Sequence, residues 1–354
     1  MTRIGFVGLG SACRNHVSNF DEIDCELVAG ADVSPDARTA FADDFDVETY
    51  EHHEEMYEDA DLDGVIVTTP NAFHEPSVTA ALDRDIAALC EKPLSNTLEG
   101  AESIVDAHRE SDAFCMVGFH NRFSTAATLL TEFRENGRFG DISHVEASYT
   151  RRRGIPGVGS WFTSKEIAGG GALIDLGVHL IDYALYVTGY PEVVEVSGAT
   201  RSEFGSREDY VNPDAGDLAR EATEDATFDV DDSASCFLRC ADGTTMTFEI
   251  SWASNASWSK EILVRGTDAG AECSLGGDTL TLKECSSTGT DHYVDTELEG
   301  NLEPSGTQAQ DAAFVEGINE GEAPEMNTAE EGLIVQQILD AIYRSSEQNR
   351  AVSL

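Results

Sequence analysis

The segment Gly169 to Tyr186, GGGALIDLGVHLIDYALY, constrains this chain more than any other. It reads as a helix opened by three glycines. Asp175, His179, Asp182 and Tyr186 follow at steps of four, three and four, which sets them on one stripe of a 3.6-residue helix. Most of the remaining surface is apolar: Leu173, Ile174, Leu176, Val178, Leu180, Ile181, Ala184 and Leu185. A helix apolar nearly all round is a buried helix. It carries a carboxylate and an imidazole one turn apart only where something satisfies them. Two readings are open: a satisfied polar pair in the core, or a stripe facing a cavity where chemistry is done.

A chain of 354 residues can hold two domains with sizeable cores. Its net charge is −45, with 67 acidic against 22 basic residues, yet 41% of residues are hydrophobic. The acids are spread along the chain, so this is a folded protein with an acidic coat and not a disordered tail. Such a coat repels itself until salt screens it, at a Debye length of about 3 Å in molar salt. The composition reads as adaptation to a salty cytoplasm of the haloarchaeal kind. It argues against nucleic acid and anionic membranes as partners. The eight cysteines form no CxxC pair and no zinc-finger spacing, which suits reduced, mostly buried thiols. No run of 18 apolar residues is present and Met1 leads straight into a strand, so the expectation is a cytoplasmic protein without a signal peptide or membrane span.

Arg3 to Leu9, RIGFVGL, is a short apolar run of the kind that forms a buried parallel strand. It ends in Gly8-Leu9-Gly10-Ser11-Ala12-Cys13, the dinucleotide turn G-x-G-x-x-G with Cys13 in the third glycine's place. A second strand, ELVAGA, ends in Asp32, nineteen residues after Cys13. A carboxylate there accepts from the adenosine ribose and repels a 2′-phosphate, which favours NAD over NADP. Arg38 lies close enough in sequence to accommodate that phosphate instead. Asp32 also qualifies as a turn or helix-cap acid. Three further strands end in Thr69-Pro70-Asn71, Glu91-Lys92-Pro93 and His120-Asn121-Arg122, with helices between them. Alternating strands and helices mean a doubly wound parallel sheet, whose ligands sit at the carboxyl ends of the strands. Lys92 is one of four lysines and Pro93 restricts its backbone, so it is either a surface lysine at a strand end or a placed one.

From Ile142 the pattern becomes alternating strands with Gly-containing turns. Cys236–Arg239 and Thr244–Ile250 around Ala241-Asp242-Gly243 make a strong hairpin signal. The second half is therefore α+β with an open-faced, largely antiparallel sheet. The boundary falls near residue 122, giving domains 1–122 and 123–354, with the final helices free to pack back on the first. Residues 202–232 read as an acidic excursion loop. Arg151-Arg152-Arg153 is a solvated strand end or a cleft contact to a polar substrate.

Glu91-Lys92-Pro93 together with Gly169-Gly170-Gly171 through Asp175 to His179 resembles the Gfo/Idh/MocA oxidoreductase family, over essentially the whole chain. The resemblance implies an N-terminal Rossmann domain and an NAD(P)-dependent dehydrogenase or reductase of sugars, inositols or related polyols. It assigns the catalytic lysine to Lys92 and the site's acid and imidazole to Asp175 and His179. It also implies assembly into homodimers or homotetramers through the C-terminal sheet. Cys13 and the acidic loop depart from the family pattern.

Oxidising a secondary alcohol removes a proton from oxygen and a hydride from carbon. His179 is the natural base. Asp175 can orient it or bind a neighbouring hydroxyl, and Lys92 can stabilise alkoxide character. Gly8, Leu9, Gly10, Ser11, Ala12, Cys13, Asp32, Arg38, Thr69, Pro70, Asn71, His74, Glu91, Lys92 and Asn121 form the expected cofactor side. His120, Arg122, Arg152 and Trp161 join Lys92, Asp175 and His179 as substrate candidates. No metal is expected: helical i,i+4 pairs such as Asp175 and His179 bind metals, but no HExxH or third ligand is present. A non-enzymatic NAD-binding sensor and an NAD-dependent glycoside-cleaving enzyme are the alternatives. If the acidic coat is a salt adaptation, the melting temperature rises from low to molar KCl. An unchanged melting temperature in a thermal scan across that range rules this out.

Overall fold

The computed structural model describes residues 1–213 and 227–354. Of the expected excursion at 202–232, residues 214–226 lie outside the described residues. The chain forms two compact units, Met1–Phe119 with Thr307–Gln336 and His120–Gly306 with Gln337–Leu354.

The first unit is built from short apolar runs. β1 (Thr2–Val7), β2 (Cys25–Ala31), β3 (Glu48–Tyr50), β4 (Gly64–Val67), β5 (Ala87–Cys90) and β6 (Cys115–Val117) form a parallel sheet in the order β3-β2-β1-β4-β5-β6. β4, β5 and β6 are buried at every position, as continuous apolar strands between helix layers must be. The helices are α1 (Ser11–Val17), α2 (Pro35–Phe45), α3 (His53–Asp59), α4 (His74–Leu82) and α5 (Leu98–Glu110). Local chemistry starts two of them. Ser34 Oγ accepts from Ala37 N–H with Pro35 in the first turn, and Thr97 Oγ1 accepts from Gly100 N–H. Strand order reverses between β1 and β4, which is where such sheets open a crevice for ligands. Phe314 and Ile318, from the returning segment, close over Gly64.

The second unit is a nine-stranded sheet. Its strands are β7 (Ile142–Thr150), β8 (Val193–Arg201), β9 (Ser233–Cys240), β10 (Thr245–Ser251), β11 (Ser259–Gly266), β12 (Ala269–Ser274), β13 (Thr279–Ser286), β14 (His292–Glu299) and β15 (Val352–Ser353). All neighbours are antiparallel except β7 and β10. The β9–β10 hairpin turns at Gly243, whose φ of +95° is open to glycine. Alternation along the strands buries Val145, Ala147, Phe248, Ile250, Ile262 and Val264 on one face. α6 (Thr125–Glu135), the short α7 (Lys165–Ala168) and α8 (Val178–Thr188) belong to this unit, and α8 packs on β7 and β10. α9 (Gly306–Glu320) and α10 (Ala329–Gln348) close the chain.

Lys165–Thr188 is apolar and long enough to cross a membrane, but 83% of its most apolar window is buried in the fold, as a core helix must be. It is not the regular helix that the sequence periodicity predicts. Leu173–Gly177 is a π-helical turn in which Val178 N–H reaches back to the Leu173 carbonyl. Such wide turns recur at functional sites.

The far end of its polar stripe is core. Arg122 and Asp182 are each 1% exposed. Arg122 Nη2 and Nε donate to Asp182 at 2.5 and 3.1 Å, and Arg122 also donates to Tyr190 Oη. The Tyr186 ring lies 4.9 Å from the guanidinium. This accounts for Arg122, a substrate candidate on sequence grounds, as a structural cation that neutralises Asp182. Removing one partner of such a pair strands a buried charge. Asp182→Ala therefore costs about 3–5 kcal/mol. Chemical denaturation in molar KCl measures it, and the double variant Asp182→Ala/Arg122→Met recovers part of the loss.

Candidate active site

The cofactor turn in the first unit obeys the spacing of its glycines. Gly8 has φ +88°, and a Cβ there would lie 2.8 Å from Thr69 N, so only glycine lets β1 end this close to β4. At Gly10, apart from the adjoining backbone, no atom of the described residues lies within 4 Å of where a Cβ would stand. That open space, at the start of α1 with no side-chain cap, is where backbone can meet a pyrophosphate. Cys13 is fully buried, so a thiol fits where the third glycine is usual, and burial pushes its pKa far up. Leu9 is buried, whereas Ser11 and Ala12 are exposed.

Asp32 is the turn acid that the sequence allows. Its Oδ1 accepts from Ser34 N–H and its Oδ2 accepts from Leu9 N–H, each at 2.8 Å. A carboxylate has lone pairs left for ribose hydroxyls. Arg38 Nη1 donates to the Asp32 backbone oxygen at 2.6 Å, which ties the arginine to the same strand end. Thr69 Oγ1 is buried and has no hydrogen-bond partner among the described residues. A ligand oxygen or amide at this strand end would satisfy it. These features fit a dinucleotide.

Asn71 and His74 are buried at 5% and 1% exposure, and Pro70 is half-buried. His74 Nδ1 lies 2.8 Å from the Pro93 carbonyl oxygen and Nε2 lies 2.9 Å from that of Thr69. Burial lowers its pKa. This histidine is a strut between the loops after β4 and β5, and its ring nitrogens face backbone. Lys92 and Glu91 are half-buried at the end of β5, with Lys92 N–H donating to Glu91 Oε2 at 3.1 Å.

In the second unit the central helix is held at its start by a residue that sequence patterns do not single out. Asp231, 7% exposed, accepts from Gly171 N–H at 2.9 Å and Leu173 N–H at 2.8 Å. Tyr343 Oη donates to it at 2.8 Å. Burial raises the Asp231 carboxyl above its usual range, and the three hydrogen bonds oppose that shift. A Cβ at Gly171 would overlap the Asp231 backbone, and one at Gly170 would overlap the Tyr343 hydroxyl. Three glycines beside a polar stripe suggest a close pass to nicotinamide or substrate. The close approach in the structure is to Asp231 and Tyr343.

The near end of the stripe carries Asp175 and His179. Trp252, wholly buried, donates from Nε1 to Asp175 Oδ2 at 2.9 Å. A buried indole N–H needs an acceptor, and Asp175 supplies it. His179 is 8% exposed, its Nδ1 lies 3.1 Å from Asn121 Nδ2, and the His120 ring meets it edge-on at 5.3 Å. Gly276, at φ +67°, leaves room for the Asn121 amide oxygen. The structure thus gathers His120, Asn121, Asp175 and His179 within the second unit. Arg152 is exposed, and Trp161 stacks on Phe162 at 3.7 Å. Neighbouring Arg153 donates to the carbonyls of Val211 and Ser254 and lies over Phe204, so that part of the basic cluster holds the 204–211 segment.

Residues 2–119 match a model described as an oxidoreductase family with an NAD-binding Rossmann fold, and residues 128–272 match one for the GFO/IDH/MocA C-terminal domain. The chain is 29% identical to the D-glucoside 3-dehydrogenase of Escherichia coli (strain K12), over 99% of this chain and 97% of that protein. It is 27% identical to the NADP-dependent scyllo-inositol 2-dehydrogenase of Bacillus subtilis (strain 168), over 87% and 84%. Its fold matches that of levoglucosan dehydrogenase in complex with NADH and levoglucosan, at a TM-score of 0.86, 21% identity and 99% coverage of both chains. The chain belongs to the Gfo/Idh/MocA family of NAD(P)-dependent oxidoreductases.

Proposed function

We propose that this oxidoreductase moves a hydride between a nicotinamide cofactor and a secondary ring alcohol of a sugar, with Lys92, Asp175 and His179 as the reacting side chains. The cofactor, when bound, supplies the hydride acceptor in one direction and the donor in the other. The observation that carries the reading is the split along one helical stripe. Asp182 is neutralised by Arg122, whereas Asp175 and His179 are oriented by an indole N–H and a carboxamide.

His179 serves as the proton carrier. The Asn121 carboxamide has an oxygen on one side and an NH2 on the other. With its oxygen toward Nδ1 it accepts Nδ1–H and leaves Nε2 as a base for the alcohol proton. The imidazolium so formed keeps Nδ1–H on that oxygen and returns its Nε2 proton to the substrate oxygen in the reverse reaction. Asp175, fixed by Trp252, accepts from a hydroxyl adjoining the reacting one. Lys92 donates to the reacting oxygen and stabilises its developing charge. Gly8, Leu9, Gly10, Ser11, Ala12, Asp32 and Thr69 hold the cofactor. Arg38 leaves NADP open beside NAD. His120, Arg152 and Trp161 are the outer substrate contacts.

The D-glucoside 3-dehydrogenase matched along the whole chain makes C3 of a glucopyranoside the first carbon to test. Reduced-nicotinamide absorbance is followed in molar KCl over a panel of glucosides, hexoses, pentoses and inositols. Lys92→Ala, Asp175→Ala and His179→Ala each lower turnover on the order of 10²-fold or more, with NAD affinity retained by fluorescence titration. Wild-type turnover in His179→Ala removes His179 as the base.

We also propose self-association through the second unit's outer sheet face, as the family resemblance implies. A groove of about 840 Å³ crosses it, lined by Glu146, Glu249, Glu261, Glu272 and Glu297 among serines and threonines. Two such faces repel until salt screens them. Homo-oligomers through this face, in a salt-rich cytoplasm, therefore gather with rising KCl. Light scattering across a KCl series checks it, and a mass independent of salt contradicts it.

A further inference from the structure

Behind Lys92 the first unit buries a line of charged groups that the proposed reaction does not use. His16, on α1, is 1% exposed. Its Nδ1 lies 2.7 Å from Asp311 Oδ1 and its Nε2 lies 3.3 Å from Glu91 Oε1. Asp311 is fully buried, and its other oxygen accepts from Asn19 Nδ2 at 2.8 Å. The second oxygen of Glu91 accepts the Lys92 backbone N–H at 3.1 Å. Gly118, at the end of β6, stands so close that a Cβ there would lie 3.1 Å from Glu91 Cα.

Carboxylate oxygens only accept, so both ring nitrogens of His16 donate and the ring is an imidazolium. Burial pulls its pKa down. The hydrogen bonds it donates to Asp311 and Glu91 outweigh burial and hold it at about 10. Neutralising Asp311 needs one contact, and the second reaches the residue that precedes Lys92. Buried ion pairs add little net stability over apolar packing of the same volume, and their better-attested use is to fix one arrangement.

We propose that His16 is a positioning residue: bonded to Asp311 on one side, it pins the Glu91 carboxylate on the other, and through it the backbone from which Lys92 extends. α1, into which the cofactor turn runs, is thereby joined to the catalytic lysine's loop. The inference rests on Lys92 acting at the reacting oxygen.

The test is a cycle of variants read by single-turnover hydride transfer, with enzyme in excess so that slow variants register. His16→Gln lowers the rate on the order of tenfold, since small misplacements of a reacting group are costly. NAD affinity stays within about twofold. In a Lys92→Arg background the same substitution costs less than about twofold, because the group it positions has already been displaced. Glu91→Gln, which keeps the Asp311–His16 pair, gives the same pattern and serves if His16→Gln does not fold. A tenfold loss retained in the Lys92→Arg background, or a fall in NAD affinity equal to the fall in rate, overturns the positioning role alone. A Lys92→Arg enzyme as fast as wild type overturns the lysine's assignment, and this inference with it.

Discussion

Asp231 is the anchor on which the second unit's chemistry depends. The central helix starts without a capping side chain of its own, because three glycines precede it. A carboxylate from the far side of the acidic excursion supplies the missing acceptor for two backbone N–H groups, and Tyr343 holds that carboxylate in turn. The next residue does the same for the other end of the excursion. Asp232 Oδ2 accepts from the N–H groups of Glu203, Phe204 and Gly205. Two adjacent aspartates, both buried, thus fix the start of the helix and the root of a loop at once.

The protein treats its charges in two distinct ways. Outside, most acids face solvent and are left to salt. Inside, each charge has a counter-charge or a fan of donors: Arg122 for Asp182, His16 for Asp311, backbone N–H groups for Asp231. An acidic excess of this size makes the interior pairs more consequential, because a misplaced buried cation has many competing carboxylates to find on the surface. Desolvation is what keeps the pairs faithful.

Much of this was legible in the sequence. Apolar runs ending in glycine, Asp32, Thr69 and Glu91-Lys92 pointed to the parallel sheet, because buried parallel strands are apolar throughout and the polar residues collect at their ends. The Ala241-Asp242-Gly243 turn marked the hairpin. β3 and α3 were not legible, since a three-residue edge strand carries no period to read. Nor was the partner of each polar stripe residue. Trp252, Asn121 and Arg122 lie far along the chain from Asp175, His179 and Asp182, and periodicity reports faces rather than neighbours. The role of the glycines is hidden for the same reason: Gly170 and Gly171 answer to Tyr343 and Asp231, which only the fold brings to them.

The π-turn at Leu173–Gly177 amounts to one residue more than a regular helix needs. Deleting a residue there would give an unbroken helix of good propensity, so the segment could lose a residue and still be helical. But the part before the deletion would turn by about 100° against the part after it. Asp175 would leave Trp252, and Asp231 would face the wrong amides. This stretch is therefore one where length, more than identity, carries information. A change in chain length inside it would separate a helix that still packs from a helix that still presents its acid beside its imidazole.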